Sequence, residues 1–167
     1  TFLAKLPECQ MWEGTQLALR FLLTTGQRPG EVIGAVWAEM DLEARTWNLP
    51  GERAKNRSAH RVPLSDQAVE ILEAARRLDA GGDAVFPSPR TGAVMGSSVL
   101  SRAIGRARPV IGIAHFTAHD LRRTAATHMA EAGVSRLVIG KILNHKEAGV
   151  TRVYDRHGYE GEKRAAL

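Results

Sequence analysis

The 167-residue sequence carries 23 Lys and Arg side chains against 18 Asp and Glu, which gives a formal net charge of +5 at pH 7. This length allows one domain with a substantial core and disfavours two full domains. The basic balance favours an anionic partner such as nucleic acid, although many basic proteins bind none. No apolar run approaches the ~20 residues of a membrane-spanning helix, so no membrane partner is expected.

The single cysteine and the first residues bear on where the protein works. Cys9 is the only cysteine, which excludes an internal disulfide and a zinc site built from cysteines. A lone thiol fits the reducing cytoplasm, which is the expected location. Residues 1–7 lack the charged and then apolar order of a signal peptide, and they lack an initiator Met. We therefore expect a fragment or a processed chain.

The first half of the chain predicts two helices followed by a small sheet. Apolar residues at helical spacing, among them Leu17, Phe21 and Leu22, predict a helix over residues 14–25 that Gly26 ends. Pro29 suits the first turn of a short second helix. Alternating apolar and polar residues then predict three antiparallel strands, over residues 36–41, 45–49 and 60–64.

The second half predicts helices joined by loops. Ser65 is the expected N-cap of a helix that reaches Leu78 and ends before Gly81, and Ser135 is the expected N-cap of a later helix. The other expected elements are helices over about residues 98–110, 118–132 and 150–156, and a short helix or loose tail after Gly161. These elements predict one domain over residues 1–167, mainly α with a small three-stranded antiparallel β-sheet, an α+β fold.

The last third of the chain carries side chains suited to a phosphate anion. His119 and Arg122 lie three residues apart, so they share one helix face near its N-terminus, where N–H groups and the helix dipole also favour an anion. His145 follows at a helix end, and the hydroxyl of Tyr154 could attack a phosphate. Taken singly, each of these is more often a surface or core residue than a catalyst.

Two further basic features lie near the front. Arg28 stands between two predicted helices, where its planar guanidinium suits two phosphate oxygens and Glu31 could orient it. Alone, this is more often a surface ion pair. A basic hairpin between the second and third strands could reach DNA, although charge runs usually only solubilise. The expected DNA contacts are Arg53, Arg57, His60 and Arg61 in the hairpin, and Arg102, Arg106 and Arg123 on later helices.

Taken together, these features resemble the catalytic domain of the tyrosine recombinases, the phage integrase family. That family carries an Arg in a Thr-Gly-x-Arg-x-x-Glu setting, a hairpin Lys, His-x-x-Arg, a Leu-Gly-His-like motif and a Tyr about nine residues later. The matching residues here are Arg28, Lys55, His119, Arg122, His145 and Tyr154. The resemblance covers nearly the whole chain, and its strings look most like prophage integrases. Asn144 stands where the family usually has Gly.

The resemblance implies a site-specific recombinase that cleaves and rejoins double-stranded DNA at the attachment sites of a prophage or mobile element. Tyr154 would attack a phosphodiester and form a 3′-phosphotyrosyl link. Arg28 and Arg122 would stabilise charge on the phosphate oxygens. The other implied roles are proton removal from Tyr154 by His119, a hydrogen bond to phosphate from His145, and protonation of the departing 5′-oxygen by Lys55. Neither a metal nor another cofactor is expected.

The resemblance also implies partners, and it leaves alternatives open. Family members carry an N-terminal helical DNA-clamping domain, which we expect to be absent from this chain. They work as tetramers on DNA and pass a C-terminal segment to a neighbour, a role that residues 160–167 could fill. Two alternatives remain: a helical DNA-binding module without chemistry, in which Tyr154 belongs to the core, and a type IB topoisomerase-like enzyme that relaxes DNA.

Overall fold

Helices dominate the fold, and a small antiparallel sheet lies near the front of the chain. The computed structural model describes residues 2–78, 81–145 and 158–167. Its helices are α1 (Phe2–Lys5), α2 (Glu13–Thr25), α3 (Pro29–Ile33), α4 (Asp66–Arg76), α5 (Val99–Ile111), α6 (Ala118–Glu131), α7 (Arg136–Ile142) and α8 (Glu160–Ala166). Its strands are β1 (Met40–Asp41), β2 (Thr46–Leu49) and β3 (His60–Pro63). The predicted α+β class is confirmed.

The sheet has the order β1-β2-β3, with both pairs antiparallel. Trp47 faces Val62 across β2 and β3, and both side chains are buried. The prediction of a strand over residues 36–41 was wrong for most of its length, because Trp37–Glu39 form a 3₁₀ turn and only Met40 and Asp41 pair with β2. The carboxylate of Glu39 turns inward and accepts a hydrogen bond from Trp47 Nε1 at 2.9 Å, a tertiary contact that overrides the local alternation.

The core forms around α2, which packs against both α4 and α6. Leu17, Phe21 and Leu22, the apolar residues at helical spacing, are all buried. The ring of Phe21 lies 5.6 Å from that of Trp47 and 5.5 Å from that of Phe86, measured between centroids. These aromatic contacts join α2 to the sheet and to the loop before α5 in the larger core, which also includes Leu121 of α6. Helix α7, which leads into His145, packs in a second, smaller cluster with Met129 of α6.

The helix boundaries follow local capping signals. The predicted N-caps are confirmed at Ser65, which accepts from Ala68 N at 3.4 Å, and at Ser135, which accepts from Val138 N at 3.3 Å. Helix α4 ends at Arg76, earlier than predicted. Helix α1 was not predicted, and the chain after residue 160 forms a helix rather than a loose tail. The predicted helix over residues 150–156, with Tyr154, lies outside the described residues.

No helix in the described part of the chain is both long enough and apolar enough to cross a membrane.

Candidate active site

Glu31 organises the front half of the site. Its carboxylate is 3% exposed and accepts from Arg28 Nη1 at 3.1 Å and from Arg28 backbone N at 3.2 Å. The same carboxylate accepts from the backbone N of Lys55 at 3.2 Å. One buried charge therefore orients the guanidinium of Arg28 and attaches the hairpin that carries Lys55. Hydrogen bonds to a charged group of this kind contribute about 1.5–3 kcal/mol each.

Arg122 enters the site from α6 and is 4% exposed. Its Nη1 donates to the carbonyl of Gly26 at 2.7 Å, and its Nη2 donates to the carbonyl of Leu143 at 2.6 Å. Burial, followed by the nearby charge of Arg28, lowers the pKa of Arg122 to about 10, so the guanidinium is still protonated at neutral pH. Two backbone carbonyls thus fix the plane of a buried, charged guanidinium.

Gly26 makes this arrangement possible through its backbone. It ends α2 in the left-handed conformation, with φ of 65°. A Cβ at this position would lie 3.3 Å from Leu143 Cδ2, so a larger residue would be both strained and crowded. The turn directs the Gly26 carbonyl toward Arg122 and leads the chain into Arg28.

The backbone carbonyls at the C-terminal end of α7 accept hydrogen bonds from several parts of the chain. Carbonyls at a helix C-terminus lack intrahelical donors and carry partial negative charge, so they attract donors and cations. Here the carbonyls of Ile142, Leu143 and Asn144 all accept from distant side chains, at 2.6 to 3.5 Å. The donors are Gln27 and His60 for the first, Arg122 for the second, and Arg28 and Asn56 for the third. These hydrogen bonds connect the front and back halves of the site.

An open cavity of about 710 Å³ lies over these groups. It is lined by Arg28, Lys55, Asn56, His119, Arg122 and His145. The structure thus brings together around one cavity the predicted catalytic residues that lie in its described part. The sixth, Tyr154, lies outside the described residues.

His145 differs from the arginines in charge. Partial burial, together with the positive charges of Arg122 and Arg28, lowers the pKa of this imidazole below its usual value. His145 is therefore neutral at pH 7, with one ring nitrogen able to donate and the other able to accept. A phosphate in the cavity would offset the two arginine charges and raise that pKa again.

Two of the predicted DNA contacts, Arg53 and His60, form hydrogen bonds within the protein. Arg53 donates through Nε and Nη2 to both carboxylate oxygens of Glu39, at 2.5 and 2.8 Å, and through Nη2 to the carbonyl of Glu31 at 3.2 Å. It braces the hairpin against α3. His60 is 8% exposed with Nε2 at 2.9 Å from the carbonyl of Ile142, so strand β3 points this ring inward. Both side chains have partners within the protein, and their contact with DNA stays a prediction.

The other predicted DNA contacts lie on the surface. The exposed side chains are those of Arg57, Arg61, Arg102, Arg106 and Arg123. Arg123 forms only a loose pair with Asp120, at 3.5 Å, and its side chain is 76% exposed. These residues are available to an anionic partner, and their contact with DNA stays a prediction.

Three amide side chains outside the predicted site residues also hold the site together. Gln27 is fully buried and donates to the carbonyls of Thr25 and Ile142, both at 2.9 Å. Asn56 and Asn144 bond to each other across the cavity rim. Asn144 adopts φ of 50°, a left-handed conformation that Asn tolerates better than other residues with a Cβ. The presence of Asn144 where the family usually has Gly was the one sign of this contact in the sequence.

Residues 2–78, 81–145 and 158–167 contain no group of three or more His, Cys, Asp or Glu side chains placed to hold a metal ion. The groups that can bind an anion in the cavity are instead guanidinium, ammonium and imidazole side chains.

Comparison with known proteins decides the family. The sequence model of the phage integrase family matches residues 8–160. The chain belongs to the phage integrase family. This phage integrase domain is 35% identical over 155 residues to prophage integrase IntA of Escherichia coli strain K12, covering 92% of the chain and 37% of IntA. It is 32% identical over 148 residues to tyrosine recombinase XerD of Mycobacterium tuberculosis strain H37Rv, covering 81% of the chain and 45% of XerD. The chain thus spans less than half the length of these relatives.

Solved structures of integrases and recombinases share the fold. The XerA recombinase superposes with a TM-score of 0.72 at 24% identity, covering 98% of this chain and 59% of XerA. A lambda integrase dimer bound to a COC′ core site gives a TM-score of 0.71 at 22% identity, covering 95% of this chain and 47% of that one. At this identity the likeness establishes the fold of the phage integrase domain and no more.

Proposed function

We propose that this chain is the catalytic domain of a site-specific DNA recombinase that cleaves and rejoins strands through a 3′-phosphotyrosyl link on Tyr154. The observation that carries the proposal is the single cavity lined by Arg28, Lys55, His119, Arg122 and His145. Family membership supplies the reaction class, and this cavity supplies the groups the reaction needs. Tyr154 enters from the family motif alone.

The two guanidiniums supply the electrostatic part of the mechanism. Arg28 is held by Glu31 and Arg122 by two backbone carbonyls, so both charges are oriented before substrate arrives. They bind the nonbridging oxygens and stabilise the extra negative charge of the pentavalent transition state. Preorganised donors of this kind typically contribute about 10²–10³-fold each to the rate.

Proton transfers accompany the exchange of bonds. The oxygen of Tyr154 attacks phosphorus and gives its proton to His119, while the bond from phosphorus to the 5′-oxygen breaks. Lys55 protonates that oxygen as it departs, and the imidazole of His145 donates to a nonbridging oxygen. One phosphate ester replaces another, so attack by a 5′-hydroxyl on the phosphotyrosine reverses the step without ATP.

The partner we propose is double-stranded DNA at the attachment sites of a prophage or mobile element, bound by a tetramer of the protein in the cytoplasm. The exposed arginines and the net charge of +5 support an interaction with DNA. The lambda integrase relatives support the assembly, because one is a dimer bound to a core site and another is a tetramer bound to a Holliday junction.

A covalent-adduct assay tests the proposal. Wild-type protein is incubated with a nicked attachment-site duplex that loses its 5′-hydroxyl strand after cleavage, and the products are separated in denaturant. We expect an adduct with wild type and with Tyr159→Phe, which removes the only other tyrosine hydroxyl in the chain, and none with Tyr154→Phe. An adduct that persists in Tyr154→Phe would rule out the assigned nucleophile.

Two other results would favour the alternatives. Salt-dependent DNA binding without any adduct would indicate a binding module. Relaxation of supercoiled plasmid without preference for a site would indicate a type IB topoisomerase.

A further inference from the structure

We propose that Asn56 and Asn144 are positioning residues that aim Lys55 at the leaving oxygen, an inference that rests on the proposed function. Asn56 Nδ2 donates to the carbonyl of Asn144 at 2.8 Å and to Asn144 Oδ1 at 3.0 Å. In return, Asn144 Nδ2 donates to Asn56 Oδ1 at 3.2 Å and to the carbonyl of Ser58 at 3.3 Å. We refer to this Asn56–Asn144 pair as the amide clasp.

The clasp lies next to Lys55, whose side chain must be positioned by the hairpin that carries it. Lys55 is exposed, so the direction of its ammonium depends on the backbone of the hairpin that carries it. That backbone is attached at Lys55 N, which donates to Glu31, and at the following residue, Asn56, through the clasp. These two attachments at consecutive residues add to the bonds of Arg53 and orient the part of the hairpin that carries Lys55.

The other end of the clasp lies among the phosphate-binding groups. Asn144 stands between Leu143, whose carbonyl holds Arg122, and His145 at the cavity wall. The carbonyl of Asn144 also accepts from Arg28 Nη2 at 3.5 Å. The clasp therefore sets the distance between the general acid and the groups that hold the phosphate, and a misplacement of about 1 Å in such a geometry can cost about 10²-fold in rate.

Glycine, the usual residue of the family at this position, would keep the backbone and lose part of the clasp. Asn144 has φ of 50°, which glycine adopts freely. Asn144→Gly would remove the donations to Asn56 Oδ1 and to Ser58 while leaving the carbonyl that Asn56 bonds. Asn56→Ala would remove the clasp from the other side. The two substitutions therefore weaken the same clasp from opposite sides, and any effect that each has on the backbone falls at a different residue.

A change of leaving group can show whether a variant has a badly positioned general acid or a disrupted structure. A 5′-bridging oxygen must be protonated as it departs, whereas a bridging sulfur leaves as a stable thiolate because thiols ionise near pKa 8.5. A variant whose only defect is a badly aimed Lys55 should therefore recover on the sulfur substrate. A variant that binds phosphate poorly should stay slow on both substrates.

The experiment measures single-turnover adduct formation by the full chain on matched oxygen and 5′-sulfur suicide duplexes. We expect Asn144→Gly and Asn56→Ala to lose about 10–100-fold on oxygen and to come within about 3-fold of wild type on sulfur. Lys55→Ala should show the same pattern with a larger loss. Ala59→Ser, an exposed change in the same hairpin, should match wild type on both substrates. Equal losses on oxygen and sulfur, or no loss on oxygen, would overturn the inference.

A second measurement does not depend on catalysis. Amide hydrogen exchange across residues 50–59 without DNA should speed up by about 10-fold in both clasp variants and stay unchanged in Ala59→Ser. Failure of wild type to form any adduct would overturn the proposed function. Unchanged exchange in both clasp variants would overturn the clasp itself, so the two failures are distinguishable.

Discussion

Replacing His60 with Gln is expected to remove a large part of the acid sensitivity of this fold. His60 is 8% exposed, and its Nε2 lies 2.9 Å from the carbonyl of Ile142. The pKa of this imidazole is lowered from 6.5 to about 4, mainly by burial. The hydrogen bond to the Ile142 carbonyl and the charge of Glu31 oppose this shift, and the charges of Lys163 and Arg122 add to it. A Gln side chain can donate to the same carbonyl and does not titrate.

The magnitude follows from proton linkage. The unfolded chain binds a proton at this residue near pH 6.5, and the folded chain binds it only near pH 4. The stabilisation from neutral His60 is therefore complete above pH 6.5 and is lost as the pH falls toward 4. At about 1.4 kcal/mol for each unit of pKa, the loss between pH 7.5 and pH 4.5 is about 2.5 kcal/mol. This is a large share of the ~5–15 kcal/mol stability of an ordinary domain.

The assay is urea unfolding followed by circular dichroism at pH 7.5 and at pH 4.5. The free energy of unfolding of wild type should fall between the two pH values by about 2.5 kcal/mol more than that of His60→Gln. His115→Gln is the matched control, because His115 is exposed, and it should keep the wild-type dependence. If His60→Gln and wild type lose the same free energy to within about 0.5 kcal/mol, burial of His60 does not couple folding to pH as argued.

Three further outcomes are expected at the site and on the surface. Arg122→Lys cannot make both carbonyl bonds of the guanidinium, so single-turnover adduct formation should fall by about 10²–10³-fold, whereas exposed Arg90→Lys should change it by less than about 3-fold. Glu31→Gln should lower the urea-derived free energy of unfolding by about 1.5–3 kcal/mol, because it removes the charge that holds Arg28; no change would contradict the buried pairing. Arg102→Ala should reduce the slope of log affinity for duplex DNA against log salt by about one, and an unchanged slope would remove this residue from the DNA contact.

The parts of the fold that could be predicted depend on local chemistry. Ser65 and Ser135 cap helices by bonding amides three residues ahead, and Gly26 ends α2 in a left-handed turn, so these boundaries are readable from short windows of sequence. Strands β2 and β3 each bury three of their four residues and expose one polar residue, Asn48 in β2 and Arg61 in β3. The first predicted strand was wrong because the buried carboxylate of Glu39 bonds Trp47 and Arg53, contacts that no local pattern indicates.

The candidate site could likewise be predicted from the sequence only in part. Side-chain types and their spacing along the chain were sufficient to select Arg28, Lys55, His119, Arg122 and His145, and the structure gathers them around one cavity. The same criteria treated every basic hairpin residue alike. They could not distinguish Arg53 and His60, which bond inward, from Arg57 and Arg61, which lie on the surface.

The sequence by itself identified the family and the candidate site residues, because motif residues keep their type and spacing whatever surrounds them. The tertiary structure alone decided which cations hold the fold and which face the cavity. The physical reason is that a buried donor must find an acceptor, and here the acceptors come from remote parts of the chain. The carbonyl of Ile142 lies 82 residues from His60, and that of Asn144 lies 88 residues from Asn56. Such pairs appear only once the chain has folded.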